Sequence, residues 1–189
     1  MHLYLSVDAM IIQIDSREHK KERQRIEAQF DALDIQYYTS KLYVGDYMGL
    51  DNPRLIVDRK KDISELYSNV VQGHDRFVKE LLRAKDVGIQ LVILCEHGDG
   101  VENLVDVVWW VNPRRKRYQS YTDPKTGIVK WYKLEGKQRR CVKRPPLDGN
   151  ELYDRLVTIS RKYGVRFEFC NKEETGQRIA MLLGGEDNG

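Results

Sequence analysis

The sequence predicts an α/β fold in three layers, a central mixed sheet with helices on both faces, carrying a basic β-hairpin insertion. Three observations predict it. Short apolar runs alternate with amphipathic stretches of helical length, an order that builds a sheet covered on both sides. The chain has 189 residues, enough to bury the core of one domain. Its excess of positive charge falls on residues 109–146, which interrupt the alternation. The expectation is one domain over 1–189 with an insertion at 109–146.

The elements follow in order. Residues 10–14, MIIQI, form an apolar run suited to a buried strand, which stops at Asp15-Ser16-Arg17-Glu18. Ile26, Phe30 and Leu33 recur at helical spacing among charged residues, giving an amphipathic helix over 19–33. Residues 42–48 and 54–59 are rich in Leu, Ile, Val and Tyr and flank the turn-forming run GLDNP, so they read as a hairpin. Helical spacing returns over 62–85, with a break expected at Gly73. QLVILC at 90–95 is an uninterrupted strand, preceded by Gly88 as a helix terminator. A short helical piece is expected at 102–110.

Within the insertion, KRYQSYT and IVKWYKL flank Asp123-Pro124-Lys125-Thr126-Gly127, a hairpin pattern with unordered flanks expected. Core patterning resumes at 150–163, where Leu152, Leu156 and Ile159 mark one helical face before Gly164. A strand over 165–169 follows. Asn171 with Glu174 reads as a capping box for a last helix through Leu183, and the tail GGEDNG is expected to fray.

Composition narrows the function. Hydrophobic residues make up 41% and charged residues 32%, and no run approaches the roughly 20 apolar residues of a membrane span. MHLYLSVDAM lacks the basic start and apolar stretch of a secretory signal, so the expected compartment is the cytoplasm. Cys95, Cys141 and Cys170 are too widely spaced for a zinc motif or a disulfide framework. The net charge is +3, yet residues 109–146 hold twelve Lys or Arg against Asp123 and Glu135, which makes them +10 and the rest of the chain −7. Such a segregated charge suits a polyanionic partner. Arg114, Arg115, Lys116, Arg117, Arg139, Arg140, Lys143 and Arg144 are the candidate phosphate contacts, and Trp131 the candidate for stacking on a base.

Three carboxylates, Asp15, Asp46 and Asp58, lie in or at the ends of expected strands. Any one alone would ordinarily be a strand-end acid meeting solvent. Side chains at i and i+2 of a strand share a face, so Asp58 and Lys60 can enter one site while Arg59 points away. Carboxylate oxygens hold Mg2+ or Mn2+, and a lysine can hold a water or a phosphate oxygen; phosphodiester hydrolysis uses both. Asp46, Asp58 and Lys60 are a minimal set for that chemistry, although their spacing alone is a weak motif.

IDSRE at 14–18, VGDY at 44–47 and VDRK at 57–60 resemble the D-x-R-E, G-D-Y and V-E-R-K motifs of XPF-type nucleases of the PD-(D/E)xK superfamily. NKEETGQRIAMLL resembles that family's closing strand-helix segment, and together the likeness spans 10–100 and 148–184. The resemblance implies a restriction-endonuclease-like fold and metal-dependent DNA cleavage. It implies Asp15, Asp46 and Asp58 as metal ligands, Lys60 as the catalytic lysine, and Arg17, Glu18 and Arg59 as active-site residues. Asp58 stands where the family has Glu. The acid that the family places downstream falls on Ser64, which leaves Glu65 as the nearest substitute. No helix-hairpin-helix module is legible, so the insertion is the candidate DNA grip.

Implied partners are DNA and either a second copy or a partner subunit. Two alternatives stay open: a catalytically silent DNA-binding subunit, and a Holliday-junction resolvase. A small nuclease of this kind would suit a bacteriophage or mobile element and would act in the cytoplasm or at the nucleoid.

Overall fold

The computed structural model describes residues 10–184; the first nine residues and the tail beyond Gly184, including most of the stretch expected to fray, lie outside the described residues. In chain order the elements are β1 (Ile11–Asp15), α1 (Lys20–Ala32), β2 (Gln36–Ser40), β3 (Tyr47–Gly49), β4 (Leu55–Lys60), α2 (Ile63–Tyr67), α3 (His74–Asp86) and β5 (Gln90–Glu96). Two 3-10 turns, Leu104–Trp109 and Pro113–Arg117, lead into β6 (Tyr118–Thr122), β7 (Val129–Glu135) and β8 (Gln138–Val142). Then come α4 (Gly149–Tyr163), β9 (Arg166–Cys170) and α5 (Thr175–Gly184). They fall into two compact units, Val105–Arg155 and the chain on either side of it.

The flanking unit holds a six-stranded mixed sheet in the order β2-β1-β3-β4-β5-β9. β3 runs antiparallel to both β1 and β4, and the remaining pairings are parallel. Strand alternation divides its side chains between two helical layers. Ile12, Ile14, Tyr47, Val57, Val92 and Leu94 pack on one side with Ile26 and Phe30 of α1 and Ile179, Leu182 and Leu183 of α5. Ile56, Leu91, Ile93 and Cys95 point the other way, where α2 and α3 supply Ile63, Leu66, Phe77 and Leu81. Each such side chain taken from water contributes roughly 1.5–3 kcal/mol, so the sheet is held rigidly from both faces.

The expected three-layer architecture is present, with several corrections. β2 was not expected, because QYYTS is polar and mostly exposed; it is an edge strand held by its parallel ladder to β1. Residues 42–46 are not part of a strand. The chain bends there at Gly45, whose φ is +67°, and β3 begins only at Tyr47. A β-carbon on Gly45 would lie 2.5 Å from Ile56 Cγ2, so the bend needs glycine both for its backbone angle and for space. Gly73 does interrupt the 62–85 stretch, between a π turn (Ser68–Gln72) and α3. Asn171 caps a 3-10 turn rather than α5. Its side chain donates to the Glu174 carboxylate at 3.3 Å instead of accepting from a backbone N–H, so the expected capping box is absent.

The second unit contains a three-stranded antiparallel sheet in the order β6-β7-β8. The expected hairpin is its first two strands. β8, QRRCV, lacks hydrophobic alternation and was not legible; it pairs with β7 through a two-residue turn in which Gly136 takes φ +63°. The flanks of the hairpin are ordered. Buried Asn112 donates to the Leu147 carbonyl at 2.7 Å and accepts from the Arg114 amide, tying the two ends of the insertion together.

Candidate active site

β4 delivers the central residues. Asp58 and Lys60 share the α2/α3 side of the sheet, and the Lys60 ammonium lies 2.5 Å from Asp58 Oδ2. Both are buried. The ammonium is the partner that compensates the buried Oδ2 of Asp58. The attraction of Asp58 and Asp46 outweighs the cost of burial at Lys60, whose pKa is raised and which stays charged.

Asp46 reaches the same place from the bend before β3. Its Oδ2 accepts the Arg59 amide at 2.8 Å, its own amide donates to the Val57 carbonyl, and its carbonyl accepts the Asp15 amide. These three bonds fix the bend against β4 and β1. Burial, followed by the charge of Asp58, pushes the Asp46 carboxyl well above its ordinary value, with Lys60 offsetting part of the rise. Two carboxylates crowded in this way form a hard-oxygen donor pair whose repulsion a divalent cation would relieve. The pair offers the hard oxygen donors that Mg2+ or Mn2+ would take.

The expected third carboxylate is engaged elsewhere. Asp15 accepts the Arg17 guanidinium through both oxygens, at 2.9 and 2.7 Å, together with the amides of Arg17 at 2.6 Å and Leu42 at 2.8 Å. Burial pushes its carboxyl upward, but these bonds and the Arg17 charge prevail, and its pKa is lowered. Among the described residues no three His, Cys, Asp or Glu side chains converge as a metal-binding group. Asp15, Asp46 and Asp58 are therefore not assembled as a trio.

Arg59 points away from Lys60, as strand alternation requires, and enters a buried ion-pair chain. Its guanidinium meets Glu18 at 2.6 Å and Glu96 at 3.0 Å; Glu96 also pairs with Arg25 and accepts the Thr175 hydroxyl at 2.7 Å. The chain links the turn after β1 with β4, β5, α1 and α5 behind the Asp58 strand. Burial lowers the Arg59 pKa, but Glu18 and Glu96 more than reverse this, so the arginine remains fixed and charged. The resemblance named Glu18 and Arg59 as active-site residues; Glu96, Arg25 and Thr175, which join them in this chain, were not singled out from sequence. Glu96 ends an apolar strand where a solvent-facing acid is the ordinary reading.

Glu65 is occupied with capping. Its carboxylate accepts the Lys61 amide at 2.9 Å while its own amide donates to Asp62, so it closes the first turn of α2. The further acid near the centre is Glu80 of α3, which sequence reading also missed. Burial followed by the Asp58 charge raises its pKa, with the Lys60 and Arg83 charges and the Gly45 backbone offsetting part of the rise. The Arg17 guanidinium is under the influence of both Asp46 and Glu80.

The ERCC4 domain model matches residues 14–182, nearly the whole described chain. The chain belongs to the ERCC4 domain family. The fold of this ERCC4 domain is similar to that of XPF from Aeropyrum pernix in complex with DNA, with 18% identity, a TM-score of 0.58, and coverage of 94% of this chain and 64% of that one. A second structure of XPF from Aeropyrum pernix gives 19% identity, a TM-score of 0.56, and coverage of 94% and 65%. The ERCC4 domain thus spans about two thirds of those chains. No curated protein matches its sequence. Among the described residues no helix is long and apolar enough to cross a membrane.

The candidate DNA contacts of the insertion divide into two groups. Arg115 stacks over Trp131 at 5.5 Å and meets Asp148 at 3.1 Å, so this cation and this tryptophan hold the unit together. Arg144 pairs with Glu151 at 2.5 Å, and Arg140 lies 3.8 Å from Glu135. Lys116, Arg117, Arg139 and Lys143 are exposed, and Arg114 is partly buried.

Proposed function

We propose that this ERCC4 domain is a divalent-metal-dependent DNA endonuclease that selects its substrate by structure, as a flap, fork or branch. The convergence of Asp46, Asp58 and Lys60 on one side of β4 carries the reading. Asp46 and Asp58 would hold Mg2+ or Mn2+, which when bound supplies a Lewis acid for the phosphate and a more acidic attacking water. Lys60, kept charged by its neighbours, donates to a phosphate oxygen or positions that water, and stabilises the charge that builds up as the bond breaks. Arg59 acts from behind the strand: anchored to Glu18 and Glu96, it holds its own amide where that amide fixes Asp46. Glu80 of α3, under the influence of the Asp58 and Lys60 charges, stands in for the acid missing at Ser64. Asp15 and Arg17 shape the wall from β1. If Asp15 joins the metal, it does so by exchanging Arg17 for the ion.

The insertion supplies affinity for the phosphate backbone, chiefly through Lys116, Arg117, Arg139 and Lys143, because exposed cations without nearby acids release counterions most effectively. DNA as the ligand is supported by the likeness in fold to XPF in complex with DNA, and selection by structure by the resemblance of IDSRE, VGDY and VDRK to the motifs of XPF-type nucleases. The test is a rate comparison on labelled linear, flapped, forked and four-way-junction DNA with Mg2+. Faster cutting of flapped or forked DNA near the single-strand boundary is expected. Paired symmetric nicks confined to the four-way junction would replace this reading with a resolvase.

A further inference from the structure

The second unit's sheet has two unlike faces. Tyr118, Ser120, Trp131, Lys133, Arg140 and Val142 alternate onto one of them, where Trp131 is covered by Arg115 from the Pro113–Arg117 turn and Glu135 pairs with Lys133 and Arg140. Register places Gln119, Tyr121, Lys130, Tyr132, Arg139 and Cys141 on the other. No acidic residue of the three strands points to this second face. Tyr121 is 54% exposed and Lys130, Arg139 and Cys141 are exposed, while Tyr132 and Leu134, on the same face, are half-buried. Tyr121 sits directly across from Lys130, and Tyr132 lies two residues further along β7, so the two rings are diagonal neighbours roughly 7–8 Å apart at their backbones.

We propose that this face, with Tyr121 and Tyr132 as its two rings and Lys130 and Arg139 as its cations, is a platform for an unpaired stretch of DNA. Base faces stack on the tyrosines and phosphates meet the cations. The inference rests on the reading of the insertion as the DNA-contacting part, and it narrows the ligand from DNA in general to single strand. Charge complementarity selects a nucleic acid over a protein: the face carries cations without acids, within a segment of charge +10. An exposed ring, Tyr121, and a half-buried one, Tyr132, beside cations select unpaired over paired DNA, because a duplex buries its base faces while a single strand presents them. Trp131, the aromatic that sequence alone favours, is spent under Arg115 and belongs to the opposite face.

The test uses the full chain in EDTA, which prevents cleavage, with fluorescence anisotropy of an oligothymidylate and of a blunt duplex. Tyr121→Ala/Tyr132→Ala is expected to weaken single-strand binding roughly 10- to 100-fold and to change duplex binding less than about twofold. Tyr121→Phe/Tyr132→Phe keeps the rings and should bind as wild type does. Cys141 pairs with Tyr132 across the strands and is exposed, whereas Cys95 and Cys170 are buried, so oligothymidylate should slow alkylation of Cys141. Equal losses on both DNAs, no loss on either, or an unprotected Cys141 would overturn the platform while leaving the insertion as a DNA grip. Failure of the wild type to bind either DNA would remove the grip, and the platform with it.

Discussion

Lys60 keeps its proton because two carboxylates face it, and those carboxylates are tolerated in the interior because Lys60 faces them. This mutual dependence sets the expected outcomes. Asp46→Asn and Lys60→Ala should each lower cleavage roughly 100-fold or more while DNA binding stays within a few-fold of wild type. Loss of the folded circular-dichroism spectrum in Asp46→Asn would show that its role is to hold the bend rather than the ion. Glu80→Gln should weaken Mn2+ binding in calorimetry with little change in melting temperature; unchanged affinity would move Glu80 out of the site. Asp15 yields a pH dependence. Its carboxyl is held below its ordinary value, so its contribution is present at neutral pH and fades as the pH falls through the depressed value. The stability gap between wild type and Asp15→Asn should be about 1–2 kcal/mol at pH 7 and shrink only as the pH falls below the ordinary carboxylate range, closing beneath the depressed value, in urea titrations. Asp58 and Lys60 were legible because a two-residue spacing in a strand is a statement about geometry. Glu80 was not, since its place depends on how α3 packs on the sheet, and no local spacing encodes that.

At the scale of elements, the site depends on a bend and a chain of ion pairs. The bend at Gly45 turns Asp46 toward Asp58. Gly45→Ala is therefore expected to cost about 2 kcal/mol or more, through the positive φ and the contact with Ile56, and to reduce cleavage beyond what the lost stability explains. Denaturant midpoints measured beside rates under folding conditions separate the two effects. The ion-pair chain behind β4 makes Glu96→Gln informative, since it removes the charge that faces both Arg59 and Arg25. A loss of roughly 3 kcal/mol is expected, as for a buried pair deprived of one partner. The strands buried on both faces, β1, β4 and β5, were legible as apolar runs. The edge strand β2 and the exposed β8 were not, because their stability comes from ladder hydrogen bonds to neighbours and leaves no hydrophobic pattern to read.

On the proposed reading the whole molecule separates two tasks along the chain, with the carboxylates of the site in the flanking segments and +10 of charge in residues 109–146. Charge segregation of this kind was plain from composition. Which cations are available was not, because Arg115 and Arg144 are spent on Asp148 and Glu151 and only the fold shows it. Glutamine at Lys130, Arg139 and Lys143 together is expected to flatten the salt dependence of DNA binding by about 0.9 in log–log slope for each phosphate contact removed. Cleavage of a short labelled DNA with Mg2+, Mn2+ or EDTA, wild type beside Asp58→Ala, tests the central claim most directly. Cutting with either metal that stops in EDTA and in Asp58→Ala is the expected result. Cutting that persists in EDTA or in a folded Asp58→Ala protein, or the absence of any cutting with DNA still bound, would contradict a metal-dependent nuclease centred on Asp46, Asp58 and Lys60.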